Sequence, residues 1–174
     1  MRNFVKTMIV SAMLLLWLTT SAAAQDNVRY RVHIAPHMEI RALGQARSAT
    51  HPMTAANLTF NNQQWHAVTL SGTGSTVRFT TDHAFRHATD FSYKRDARLQ
   101  LTRIVGTSSA RWQFDTVTDT TNFAAGDETA TVQISSRGPG VANISMNVIF
   151  MTGSLASLKG GQYDMTVVGT ISEN

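Results

Sequence analysis

Residues 159–174 read KGGQYDMTVVGTISEN. Within them Tyr163, Met165, Val167, Gly169 and Ile171 alternate with Gln162, Asp164, Thr166, Val168, Thr170 and Ser172. A two-residue period is the mark of a β-strand with one buried face. A loose polar tail has no reason to keep it. The stretch therefore predicts a long final strand whose Tyr163, Met165, Val167 and Ile171 side chains complete a core. Its loss would strip one face of that core and expose a sheet edge.

Worked outward from this end, the same period governs the chain. NVRYRVHI (27–34) sets Val28, Tyr30, Val32 and Ile34 against Arg29, Arg31 and His33, and after Pro36 it resumes as HMEIRAL. A proline cannot donate to a ladder, so this segment reads as an edge strand or one that changes sheets. Further strands are predicted at 65–70, 75–81, 97–105, 111–117, 128–135 and 141–150, separated by the turn signals SGTGS, TSSA, NFAAGDE, SRGPG and SLKGG. Helical periodicity is scarce: Leu155–Leu158 allows a single turn, and His83–Tyr93 fits either period. About eight to ten strands without interleaved helices predict an all-β, antiparallel β-sandwich.

The first residues tell a different story. Arg2 and Lys6 precede an apolar block, Thr7–Leu18, and Ala22-Ala23-Ala24 supplies small residues for cleavage. That is the pattern of a secretory signal peptide, residues 1–24. The block is short of the roughly 20 residues a membrane crossing needs, and no later stretch is apolar enough to span. The mature domain, 25–174, is then a single domain of 150 residues, ample for a real core. Loss of Arg2 and Lys6 lowers Lys+Arg from 15 to 13 against 11 acids, for a net charge of +2. The remaining arginines are scattered, which suits solvated strand faces and gives no basic patch for nucleic acid. The chain has no cysteine, so an exported form is held by its core alone. The expected location is secreted, periplasmic or at the cell surface.

Two passages carry a family likeness. SLASLKGGQYDMTVVGTISEN (154–174) resembles the end of subunits exported by the bacterial chaperone–usher pathway, where a Gly-x-Tyr step introduces the final alternating strand. VRYRVHIAPHMEI (28–40) resembles their first strand, an alternating run broken by proline. The resemblance implies an immunoglobulin-like sandwich, a structural or adhesive role, and other surface or fimbrial subunits as partners through exposed strand edges. Two departures accompany it. Only Gln25, Asp26 and Asn27 precede the first predicted strand, so no separate donor extension of the kind used in β-strand addition is evident. The disulfide of many relatives is also absent.

Chemistry is sparse. His33 and His37, and His83 and His87, share a His-x-x-x-His spacing that on a helix puts two imidazoles on one face. The first pair spans Pro36 between strands, where i and i+4 lie too far apart to share an ion. The second could sit on a helical turn capped by Asp82, with Asp90 nearby, as a zinc or copper site; polar loop histidines are the plainer account. SGTGS (71–75) has neither a Gly-x-Ser-x-Gly elbow nor a phosphate-loop Lys, and reads as a hairpin turn. Carboxylates are few and dispersed, and no enzyme activity or cofactor is implied. Most aromatics, including Phe79, Trp112 and Phe114, fall at inward positions and read as core. Trp65 beside His66, in NNQQWH, is the best candidate for an exposed binding aromatic. Two functions follow from different classes: a pilin-like structural or adhesive surface module, and a secreted module binding a sugar, peptide or metal through the loop at 82–95.

Overall fold

A computed structural model of the chain describes residues 37–174, together with Arg29, Arg31 and Val32. The chain divides into two units, Met1–Ile34 and Ala35–Asn174, and the sheets described below belong to the second. The leader and most of the 27–34 run lie outside the described residues. At Arg29, Arg31 and Val32 no strand is assigned, and Val32, expected on a buried face, is 85% exposed.

The described residues form an all-β antiparallel sandwich. One sheet has five strands in the order β1 (Met38–Ala42), β2 (Leu58–Thr69), β10 (Gly140–Phe150), β6 (Ala97–Gly106), β8 (Thr118–Thr120). A second has β12 (Val167–Glu173), β3 (Ser75–Thr81), β9 (Thr131–Ser135) and β7 (Gln113–Thr116). A small third sheet joins β11 (Tyr163–Asp164), β4 (Phe85–His87) and β5 (Lys94–Arg95). Every pairing is antiparallel.

Alternation is what places these strands. In β3, Val77 and Phe79 are fully buried while Arg78 between them is exposed. Val132 and Ile134 of β9 join them from one side; Leu99 of β6, and Ile144 and Met146 of β10, meet them from the other. Each such side chain contributes roughly 1.5–3 kcal/mol through burial. Leu155–Ser157 makes the single 3-10 turn that its sequence allowed.

The final segment is locked into the sheets, but in two pieces. β11 pairs with β4 and β12 with β3. Between them, Asp82 N–H donates to Thr166 O at 2.9 Å and Thr166 N–H donates to Asp82 Oδ1 at 2.8 Å. Tyr163, Met165, Val167 and Ile171 stay half-buried against the core throughout. At the last residue Asn174 Nδ2 donates to Ser136 O at 2.9 Å, and Ser71 Oγ donates to Glu173 at 2.6 Å.

Three expectations need correction. SGTGS is no hairpin turn: β2 and β3 lie in different sheets, and Leu70–Gly74 carries the chain between them. Gly74 is required there, because its φ of +91° is left-handed and a Cβ would strike the Ser136 carbonyl. Phe114 is 40% exposed and is no core residue, because β7 is an edge strand. The His83–His87 segment makes no helical turn: His83 and Ala84 lie in a bend and Phe85–His87 form β4, since Tyr163–Asp164 and Lys94–Arg95 flank that strand and take its backbone groups.

Candidate functional site

β2 is much longer than its outer neighbour. β1 pairs only with Trp65–Thr69, so among the described residues Leu58–Gln63 are paired on one side alone, with β10. Leu43 N–H donates to Gln64 O at 2.8 Å as the last bond of that edge, and the chain then leaves as an exposed loop from Gly44 to Thr50. On the facing side, among the described residues, β11 and β12 also have a neighbour on one side only, β4 and β3 respectively. Between these two one-sided edges runs a groove of about 920 Å³.

Its floor is apolar. Leu58 and Phe60 of β2, Met146, Val148 and Phe150 of β10, and Phe85 of β4 line it. One wall is the unbroken run Leu158–Val167, so backbone as well as side chains faces the space. The other is β2 with the end of β1 and the loop beyond it, where Ala42, Gly44, Ala46 and Ser48 are small. Phe85, Phe150 and Tyr163 form an edge-to-face aromatic chain, with centroids 5.1 and 5.5 Å apart. His51 closes one end: Nε2 shares a hydrogen bond with Thr152 Oγ1 at 2.9 Å. Trp65 stands at the other, tilted against Phe79 at 5.0 Å.

The wall at 158–167 is held from behind by His87. Its imidazole is buried, and Nε2 lies 3.1 Å from Gly160 O. Its Nδ1 accepts from the backbone N–H groups of Asp90 at 3.2 Å and Thr89 at 3.3 Å, so the proton sits on Nε2 and is donated to Gly160. Gly161 passes so close, at φ +142°, that a Cβ would collide with the ring. Lys159 Nζ donates to Asp90 Oδ2 at 2.6 Å and lies over the Tyr93 ring. That bond, with help from Ser92, lowers the Asp90 pKa from the usual 3.8 to about 2, and the same carboxylate raises that of Lys159.

The singled-out residues thus serve different places. Trp65 is half-buried at the groove, while His66, its neighbour on a strand, points to the opposite face and bonds Asn143 Oδ1 at 2.9 Å. His83 bonds Ala84 O at 2.7 Å through Nδ1 and lies 3.5 Å from Asp82 through Nε2, whereas His87 faces Gly160. Asp82 and Asp90 hold Thr166 and Lys159. Among the described residues no three His, Asp or Glu side chains converge. No helix among them is long and apolar enough to cross a membrane. His33 lies outside the described residues.

The groove itself escaped sequence reading. Leu58 and Phe60 precede the strand predicted at 65–70, and only the mismatch in length between β1 and β2 reveals the uncovered edge. No protein-family model matches the chain, and no curated relative matches it.

Proposed function

We propose that the protein is a non-enzymatic, exported structural or adhesive module of the bacterial surface, a pilin-like immunoglobulin-type sandwich whose groove accepts an extended strand from another subunit. The observation that carries this reading is the apolar trough between two one-sided strand edges. A strand laid there can bond to backbone on its flanks and bury every second side chain in the floor, which is β-strand addition. The interface then resembles a missing piece of core, and affinity rests on main-chain bonds plus apolar burial.

The incoming chain must be extended and apolar at alternate positions. The protein's own run at 27–34, with Val28, Tyr30, Val32 and Ile34, has that chemistry. Counting this run as a core strand is what left no donor in the sequence reading; β1, at Met38–Ala42, is the described edge strand of the five-stranded sheet. Ligand capture through residues 82–95 has less support, because Asp82, His87 and Asp90 are spent on internal bonds.

The test uses a synthetic peptide of residues 27–40 and the mature chain. Saturable binding, with a rise in the thermal unfolding midpoint, is expected, together with concentration-dependent assembly that deletion of 25–34 abolishes. A mature chain that stays monomeric at all concentrations and ignores the peptide overturns the reading.

A further inference from the structure

The outward face of the five-stranded sheet carries a second concavity, remote in character from the apolar groove. β10 is irregular twice at nearly one point: its register shifts against β6 between Ser145 and Met146, and against β2 between Met146 and Val148. Opposite, Asn62 takes a left-handed φ of +58°. Bulges re-aim side chains and recur next to sites, and here they open a hollow of about 590 Å³.

Polar side chains in it are fixed at one end and open at the other. Gln64 Nε2 donates to Ser145 Oγ at 2.9 Å and to Asn62 Oδ1. Asn143 Oδ1 is held by His66. Among the described residues, Asn62 Nδ2, Asn143 Nδ2 and Gln64 Oε1 have no protein partner, so the three amides lining the hollow keep two donors and an acceptor unused. Arg103, exposed in the row Gln64–Ser145–Arg103, forms no ion pair among the described residues. Arg41, on the same face, is already beside Glu39 at 3.8 Å.

We infer that this hollow binds an acidic sugar residue of a glycan, with Arg103 on the carboxylate and the amides of Asn62, Gln64 and Asn143 on hydroxyls. A guanidinium presents a planar fork that matches a carboxylate. Hydroxyls both donate and accept, as the mixed amide atoms require. A single unpaired arginine among neutral amides, with no lysine in the hollow, does not fit a nucleic-acid backbone, which draws clustered cations.

Binding is measured by isothermal calorimetry on the mature protein with 3′-sialyllactose and a hyaluronan oligosaccharide, which separate sialic from uronic acids, and with lactose as the neutral control. Saturable binding to at least one acidic glycan is expected, with lactose at least tenfold weaker. Arg103→Ala should weaken it at least tenfold and Asn143→Ala about threefold, both retaining the wild-type unfolding midpoint within a few degrees. Arg78→Ala, on the other sheet, should change nothing. Absence of binding to both acidic glycans, equal binding of lactose, or equal loss in Arg78→Ala overturns the inference. Because these variants leave the groove untouched, peptide binding is unaffected by either result.

Discussion

His87 and Gly161 set the geometry of the groove wall at the scale of single residues. Gly161→Ala adds a Cβ where the imidazole stands and forces an unfavourable φ, so a loss of about 1–3 kcal/mol is expected in urea unfolding. An unchanged midpoint would show that the wall relaxes at no cost. Asp90 gives a pH dependence whose sign is fixed. Its carboxyl titrates lower in the folded chain, at about 2, than in the unfolded chain, near 3.8. The folded state is thus favoured above pH 3.8, and this contribution is lost as pH falls toward 2. Wild type should exceed Asp90→Asn in stability at pH 5, with the gap closing by pH 2; a gap that persists at pH 2 contradicts the assignment. In sequence Asp82 reads as a helix cap and His87 as a loop histidine or metal ligand, because their partners, Thr166 and Gly160, are distant in the chain and no local spacing reports such pairs.

For β-strands as elements, face matters more than position. Trp65 and His66 are adjacent yet lie on opposite sides of β2, one against Phe79 and one against Asn143. Trp65→Ala should cost about 3 kcal/mol through the lost burial and cavity, and His66→Ala under about 1 kcal/mol, as for a surface position. Comparable losses in guanidinium unfolding of the two variants would refute the strand register. The last strand repeats the lesson. Gly169 is small because Trp65 lies where its Cβ would come, 2.9 Å away. Ile171→Ala, half-buried against the core, should lose about 2 kcal/mol, and removing 167–174 should leave β3 as an unprotected edge and make the protein aggregate. β4 and β5 were missed because two- and three-residue strands carry too few side chains to show a period.

At the scale of the whole molecule, the groove exists because the outer strand β1 stops short of half of β2. Met165→Arg places a charge in its apolar wall, where half-burial lets the long side chain reach water, so folding should survive. Binding of the 27–40 peptide should fall at least tenfold, read by fluorescence anisotropy; undiminished binding would move the strand elsewhere. The all-β class, most strand positions and the inward faces of β3 and β12 were legible in the sequence, because a two-residue alternation is a local property written in consecutive side chains. Which strands share a sheet, where β2 is left uncovered, and which amides meet around Arg103 were decided only by tertiary structure. Those features depend on register between segments far apart in the chain, and register is set by the joint packing of both sheets rather than by any single stretch.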